Sequence, residues 1–302
     1  MKNIKKLAII IMALVFTLSL MACTKSETKK EEVKGIKITD SYNREVSLDK
    51  VPQRVVTLSP GATETIFALK KESILVGRSD YDDYPAEVSK IEKVGGLENP
   101  NIEKITELKP DLVIAGAHFS KEVLKKLEDL GIKVAVLYGE DNFDGAYKNI
   151  LDTAEVLGVK NDGQKIVDEM KKKVSEVEEK IKNSKKVKLY YVVDFGKQDF
   201  TAGGDTFVGQ LIEKAGGDNI AKDVKGWNYS FEKIVENNPD VIILSDKYDA
   251  KKRFIQADRY KDLPAVKANK VFEIDDNMLV RQGPRQADGL EALAKILHPE
   301  AF

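Results

Sequence analysis

The chain has 302 residues, enough for two domains of ordinary size, with 49 Lys and Arg against 50 Asp and Glu and a formal net charge of −1. That balance lacks the basic surplus of a nucleic-acid-binding protein, so no nucleic-acid partner is expected. The single cysteine excludes an internal disulfide.

Lys2, Lys5 and Lys6 precede an apolar run, Leu7 to Met21, that is short for a membrane span and ends in small residues. Residues 1–22 therefore read as an export signal. Cys23 follows directly, in Leu20-Met21-Ala22-Cys23. This resembles the lipobox of bacterial lipoproteins, which implies lipid modification of Cys23; an incidental cysteine after an ordinary signal is the alternative. Residues 23–35 are polar and charged, too poor in apolar groups to fold, and read as a tether.

Residues 36–142 are expected to form a first α/β lobe. Ile36 to Leu48 alternates around a polar turn, Ser41-Tyr42-Asn43, as a hairpin does. Arg54 to Leu58 is strand-like and runs through Ser59-Pro60-Gly61 into a helix from Thr63 to Leu69. That turn would leave free N–H groups at the sheet's carboxyl edge, where ligands bind, which makes Pro60 a candidate contact. A further strand, Ser73 to Gly77, leads to Asp80-Tyr81-Asp82-Asp83-Tyr84-Pro85, whose tyrosines would pave a pocket or cover the rim. Lys121 to Leu130 is amphipathic, with Val123, Leu124, Leu127 and Leu130 on one face, and Val134 to Tyr138 gives a last strand. His118 follows a strand but has no metal-ligand companions in sequence, and the only other histidine is His298, so no metal cluster is expected.

Residues 143–184 read as a helical bridge: a helix to Leu157, an interruption at Gly158 and Asn161-Asp162-Gly163, then Ile166, Met170, Val174, Val177 and Ile181 along one face. A helix of about twenty residues covers roughly 30 Å, the width of a lobe.

Residues 185–302 form the expected second lobe. Val187 to Val193 is a strand, and Phe195 to Gly204 is a loop with aromatics and glycines before the helix Phe207 to Ala215. No phosphate-binding glycine motif is present, so nucleotide binding is unsupported. Gly216-Gly217-Asp218-Asn219 reads as a turn. Trp227, the only tryptophan, lies in a polar loop and is a candidate ligand platform. Lys270 to Ile274 is a strand, Met278 to Arg285 a loop, and Gln286 to Leu297 the closing helix. Arg281 and Arg285 flank a Gly-Pro turn and would clamp a carboxylate or phosphate, or else form surface salt bridges.

One unit occurs twice. Glu103 to Ile114, EKITELKPDLVI, returns at Glu232 to Ile243 as EKIVENNPDVII, with seven of twelve positions identical. Each copy reads as a capped short helix after Asn101 or Ser230, a proline stop and a buried strand. Such a unit cannot bury itself, so each copy belongs to its own sheet. The expected fold class is α/β: two similar parallel-sheet lobes joined by one long helix, with a ligand cleft between them.

The motifs RVVTLSPGATETIFAL, DYDDYP, GGLENPNIEKITELKPDLVIA, FTAGGDTFVGQLIEKAGGDNIA and RQGPRQADGLEALAKILHPE, in this order, resemble the substrate-binding proteins of ABC importers for cobalamin, ferric siderophores and haem. The resemblance runs from about Ile36 to the end. It implies a non-enzymatic, lipid-anchored receptor outside the membrane, of Gram-positive type. Its partners would be a metal-chelate ligand and a permease dimer with its ATPase, the latter met by Glu103 and Glu232. It also implies that Tyr81, Phe195 and Trp227 form aromatic walls; were the ligand haem, His118, Met278 or a tyrosine would be available to its iron, and no cofactor of the protein's own is expected. Leu97 and Gly116 stand where one type of cobalamin binder has tryptophans. A corrinoid is placed ahead of a ferric siderophore, with haem third. An exported enzyme using Asp80, Asp82 and Asp83 as acid and base is the alternative of another class.

Overall fold

The structure, a computed structural model, describes residues 35–302, and Gly35–Phe302 form one compact unit. The export signal, Cys23 and the tether up to residue 34 lie outside the described residues.

The chain opens with an antiparallel hairpin, β1 (Ile36–Thr39) with β2 (Glu45–Leu48). Four strands then build a parallel sheet: β3 (Val55–Leu58), β4 (Leu75–Gly77), β5 (Leu112–Ala115) and β6 (Val134–Val136), in spatial order β4-β3-β5-β6. After the bridge come β7 (Val187–Val192), β8 (Asp199–Phe200), β9 (Gly217–Asn219), β10 (Asn228–Tyr229), β11 (Val241–Ser245) and β12 (Val271–Ile274). β8 and β10 pair as a small antiparallel ribbon. The other four form a second parallel sheet, β9-β7-β11-β12. In each sheet the first strand lies between the second and the third, so the two lobes share one strand order.

The repeated unit fills the same place in both. Helices Ile102–Glu107 and Phe231–Asn237 are capped by Asn101 and Ser230, whose side chains accept from the N–H of Lys104 and Lys233. Ile105 and Ile234 are fully buried under them, and β5 and β11 are interior strands with apolar residues on both faces. Each sheet is covered on both sides. In the first lobe one apolar layer joins Ile66, Ile114 and Leu157, and the other joins Ile105, Val113 and Leu127.

The bridge is the helix Phe143–Val156 followed by the 22-residue helix Lys160–Ile181. Val167, Met170, Val174, Val177 and Ile181 are buried in one cluster with Tyr147 and Ile150 before them and Leu290 and Leu293 after. Burying side chains of this size contributes about 1.5–3 kcal/mol each, as an upper bound. Two sequence expectations are corrected here. Asn161-Asp162-Gly163 does not interrupt the bridge but forms the first turn of the long helix, because Gly163 lets it pack against the preceding helix: a Cβ there would meet the Ala154 Cβ at 2.4 Å. Gly217 to Asn219 is a strand rather than a turn. It pairs with β7, and Asn219 is held by its side-chain bond to the Ala202 carbonyl at 2.8 Å.

Candidate functional site

In an open parallel sheet, ligands bind outside the carboxyl ends of the strands, at the switch point where connections leave in opposite directions. In the first lobe that point lies between β3 and β5. Ser59-Pro60-Gly61, after β3, and Gly116-Ala117-His118, after β5, line a cleft of about 580 Å³. Tyr81 comes from the loop after β4 and Tyr138 follows β6. The facing wall belongs to the second lobe: Lys247 and Tyr248 after β11, and Asp276, Asn277 and Arg281 after β12. The cleft is therefore built from both sheets, and its volume suits a small molecule.

Of the residues singled out in the sequence, Pro60, Tyr81, His118 and Arg281 meet at this cleft. Tyr81 is 60% exposed. Phe195 is not part of the lining: its ring packs edge-on against Phe254 and Tyr260, at 5.1 and 5.7 Å between centroids. Trp227 is 42% exposed but also stands outside the lining, beside the ribbon strand β10, and its carbonyl accepts from the Thr201 N–H at 2.7 Å. Met278 packs against the second lobe's core. Sequence reasoning passed over Tyr248, 86% exposed on the lining and the only aromatic the second lobe places there. Its single available signal was a tyrosine three residues past the end of β11.

The arginine pair does not form a free clamp. Glu64, in the first lobe, has a side chain only 2% exposed. Its Oε1 accepts from Arg281 Nη1 at 3.0 Å and Arg285 Nη2 at 2.8 Å, and its Oε2 accepts from Arg285 Nε at 2.9 Å. Arg281 also donates to Asp83 Oδ1 (2.7 Å) and the Tyr81 carbonyl (2.8 Å). Arg285 donates to Asp275 Oδ2 (2.7 Å), lies 3.9 Å from the Tyr84 ring centroid and is not on the cleft lining. Between them, Gln282 reaches into the first lobe, accepting from Gly139 N (2.8 Å) and donating to the carbonyls of Gly139 (3.1 Å) and Glu140 (2.9 Å). Asn149 returns a bond to the Gln282 carbonyl at 2.8 Å. Residues 281–285 thus form a strap from the second lobe onto the first.

Two of the three carboxylates offered as an acid–base set are also engaged, while Asp80 is exposed on the lining. Asp82 is buried, its Oδ2 accepting from the Ser79 N–H and hydroxyl, and burial pushes its carboxyl above the usual range. Asp83 pairs with Arg281. Asp246, Asp275 and Asp276 approach one another, but the Lys247 ammonium already stands 3.5 Å from Asp275 and 3.3 Å from Asp276. Glu103 and Glu232 lie away from the cleft, exposed in the first turns of their two helices.

Two sheets of one order, a long connecting helix and a cleft at the strands' carboxyl ends define a two-lobed ligand-binding protein. The model of the periplasmic binding protein family matches residues 55–278, and the chain belongs to that family. It is 34% identical over 281 residues to an uncharacterized ABC transporter substrate-binding lipoprotein, YvrC, of Bacillus subtilis, covering 91% of this chain and 89% of that one. It is 28% identical over 272 residues to the cobalamin-binding protein of Halobacterium salinarum, covering 86% and 73%. Among solved structures, the molybdate-bound periplasmic binding protein MolA of Haemophilus influenzae superposes with a TM-score of 0.77 at 25% identity, covering 88% of this chain and 92% of that one.

Proposed function

We propose that this protein is the receptor of an ABC importer. It captures a metal-chelate ligand outside the membrane and hands it to a permease dimer driven by its ATPase. The observation that carries the reading is the interlobe cleft at the carboxyl ends of both sheets, with Tyr81 and Tyr248 on its lining. The roles by which the relatives are named, ABC substrate binding and cobalamin binding, agree with it. A corrinoid is the favoured ligand, a ferric siderophore or haem the alternative. The reading has residues 36–142 and 185–302 as the lobes, 143–184 as the bridge, and Cys23 as the lipid site that tethers the protein to the cell membrane of a Gram-positive type of cell. No helix among the described residues is long and apolar enough to cross a membrane. In this reading the chain binds and releases its ligand without turning it over.

Glu103 and Glu232 are proposed as permease contacts. The repeat puts one carboxylate in the same place on each lobe, which suits a two-fold partner. Residues 24–302 retain the whole compact unit, so calorimetric titration of that chain with cyanocobalamin, a ferric siderophore and haemin tests the reading. One-to-one binding of one of them supports it, and no binding of any overturns it.

A further inference from the structure

Given the importer reading, we infer that the cleft selects a chelate without net negative charge. Among the lining residues, four carboxylates (Asp80, Asp83, Asp141 and Asp276) face two cations, Lys247 and Arg281. Both cations are already engaged. Arg281 is bonded to Glu64 and Asp83. Lys247 lies 3.3 Å from Asp276, 3.5 Å from Asp275 and 3.7 Å from Asp83. Asp80 and Asp141 are exposed, and among the described residues neither has a Lys or Arg at ion-pair distance.

An anionic ligand would therefore meet an acidic surplus. To engage Arg281 it would have to draw the guanidinium from Glu64, leaving a buried carboxylate less compensated. The feature of the lining that favours negative charge is the N-terminus of the helix Pro60–Ala68. Its first turn is largely occupied. Pro60 has no N–H, Ser59 Oγ accepts from Ala62 N, and Thr63 N donates to the Ser59 carbonyl. Gly61 lies under the strap, where a Cβ would come within 2.6 Å of the Gln282 carbonyl oxygen. This distinguishes the cleft from one built for an oxyanion and favours a corrin, whose periphery carries neutral amides, over haem with its propionates or a carboxylate siderophore.

The test is a charge series on one ring. Cyanocobalamin and its mono- and dicarboxylic acids, in which one or two peripheral amides are hydrolysed, share the same ring and a cobalt capped by cyanide. They are titrated into residues 24–302 at pH 8, so that imidazole charge does not enter. Affinity is expected to fall about two- to fivefold for each carboxylate at low salt. The spread should narrow in 1 M salt, where screening acts within about 3 Å. It should also narrow in the Asp80→Asn/Asp141→Asn variant, whose changes are at exposed positions. Equal or tighter binding of the acids overturns the inference and leaves the importer reading standing. So does binding of haemin or a tricarboxylate ferric chelate where no corrin binds. If no chelate binds at all, the importer reading falls and the inference with it.

Discussion

The two lobes share a strand order but treat the loop after their first strand differently. In the first lobe β3 passes straight through Ser59 into the helix Pro60–Ala68, and the turn becomes cleft lining. In the second lobe β7 runs instead into the β8–β10 ribbon before its helix begins at Phe207, and Phe195 turns inward onto Phe254 and Tyr260. The second lobe's contribution to the cleft comes from later in the chain, after β11 and β12. A repeated fold thus fixes where a cleft can form, while the loops decide which strand ends build it.

The largest expected effect tests how the lobes are joined. Glu64→Ala leaves Arg281 and Arg285 without their shared buried partner, and should cost about 3–5 kcal/mol in urea unfolding. Asp83→Ala, at a half-exposed carboxylate in the same network, should cost at most about 1 kcal/mol. Equal losses would mean that the network is not organised around Glu64.

A smaller effect is expected where the strap meets the first lobe. Gly61→Ala places a methyl against Gln282 backbone, which cannot rotate away as a side chain would. The variant should lose about 1–3 kcal/mol and show a larger radius of gyration in scattering. An unchanged radius would show that the strap yields without moving the lobes.

The smallest expected effect is in pH dependence, where two carboxylates have opposite signs. Burial raises Asp82, so its ionisation is less favourable folded than unfolded. Its contribution is lost as pH rises from about 4 through the folded value. Asp275 is lowered: burial acts against this, but bonding from Arg285 and the charges of Arg285 and Lys247 outweigh it. Its contribution is present above about pH 4 and lost as pH falls through the folded value. Asp82→Asn should therefore flatten the stability profile above about pH 4 and Asp275→Asn below it. The reverse assignment would contradict the geometry.

What the sequence made legible follows the same division. The repeat, the caps Asn101 and Ser230 and the helix Gln286–Leu297 are local signals reinforced by burial, and they stand where they were expected. The bridge pattern was legible for the same reason, although Val167 rather than Ile166 is its fully buried residue. β9 was not legible, because Gly-Asp-Asn has little strand tendency and pairs only once β7 is beside it. Nor was the fate of the arginines. Their partner Glu64 lies more than two hundred positions earlier, inside a helix that gives no local sign of needing a cation. Aromatic residues in loops misled in the second lobe, since sequence does not say whether a loop ring turns to the cleft, as Tyr248 does, or to its own core, as Phe195 does.

The most direct test of the account is calorimetric titration of residues 24–302 with cyanocobalamin, in the wild type and in the Tyr81→Ala/Tyr248→Ala and Trp227→Phe variants. The account predicts one-to-one binding, weakened at least about tenfold by the loss of Tyr81 and Tyr248 and changed less than about twofold at Trp227, which is not on the lining. Full affinity in the double variant, or a large loss at Trp227, would place the ligand outside the interlobe cleft and contradict it.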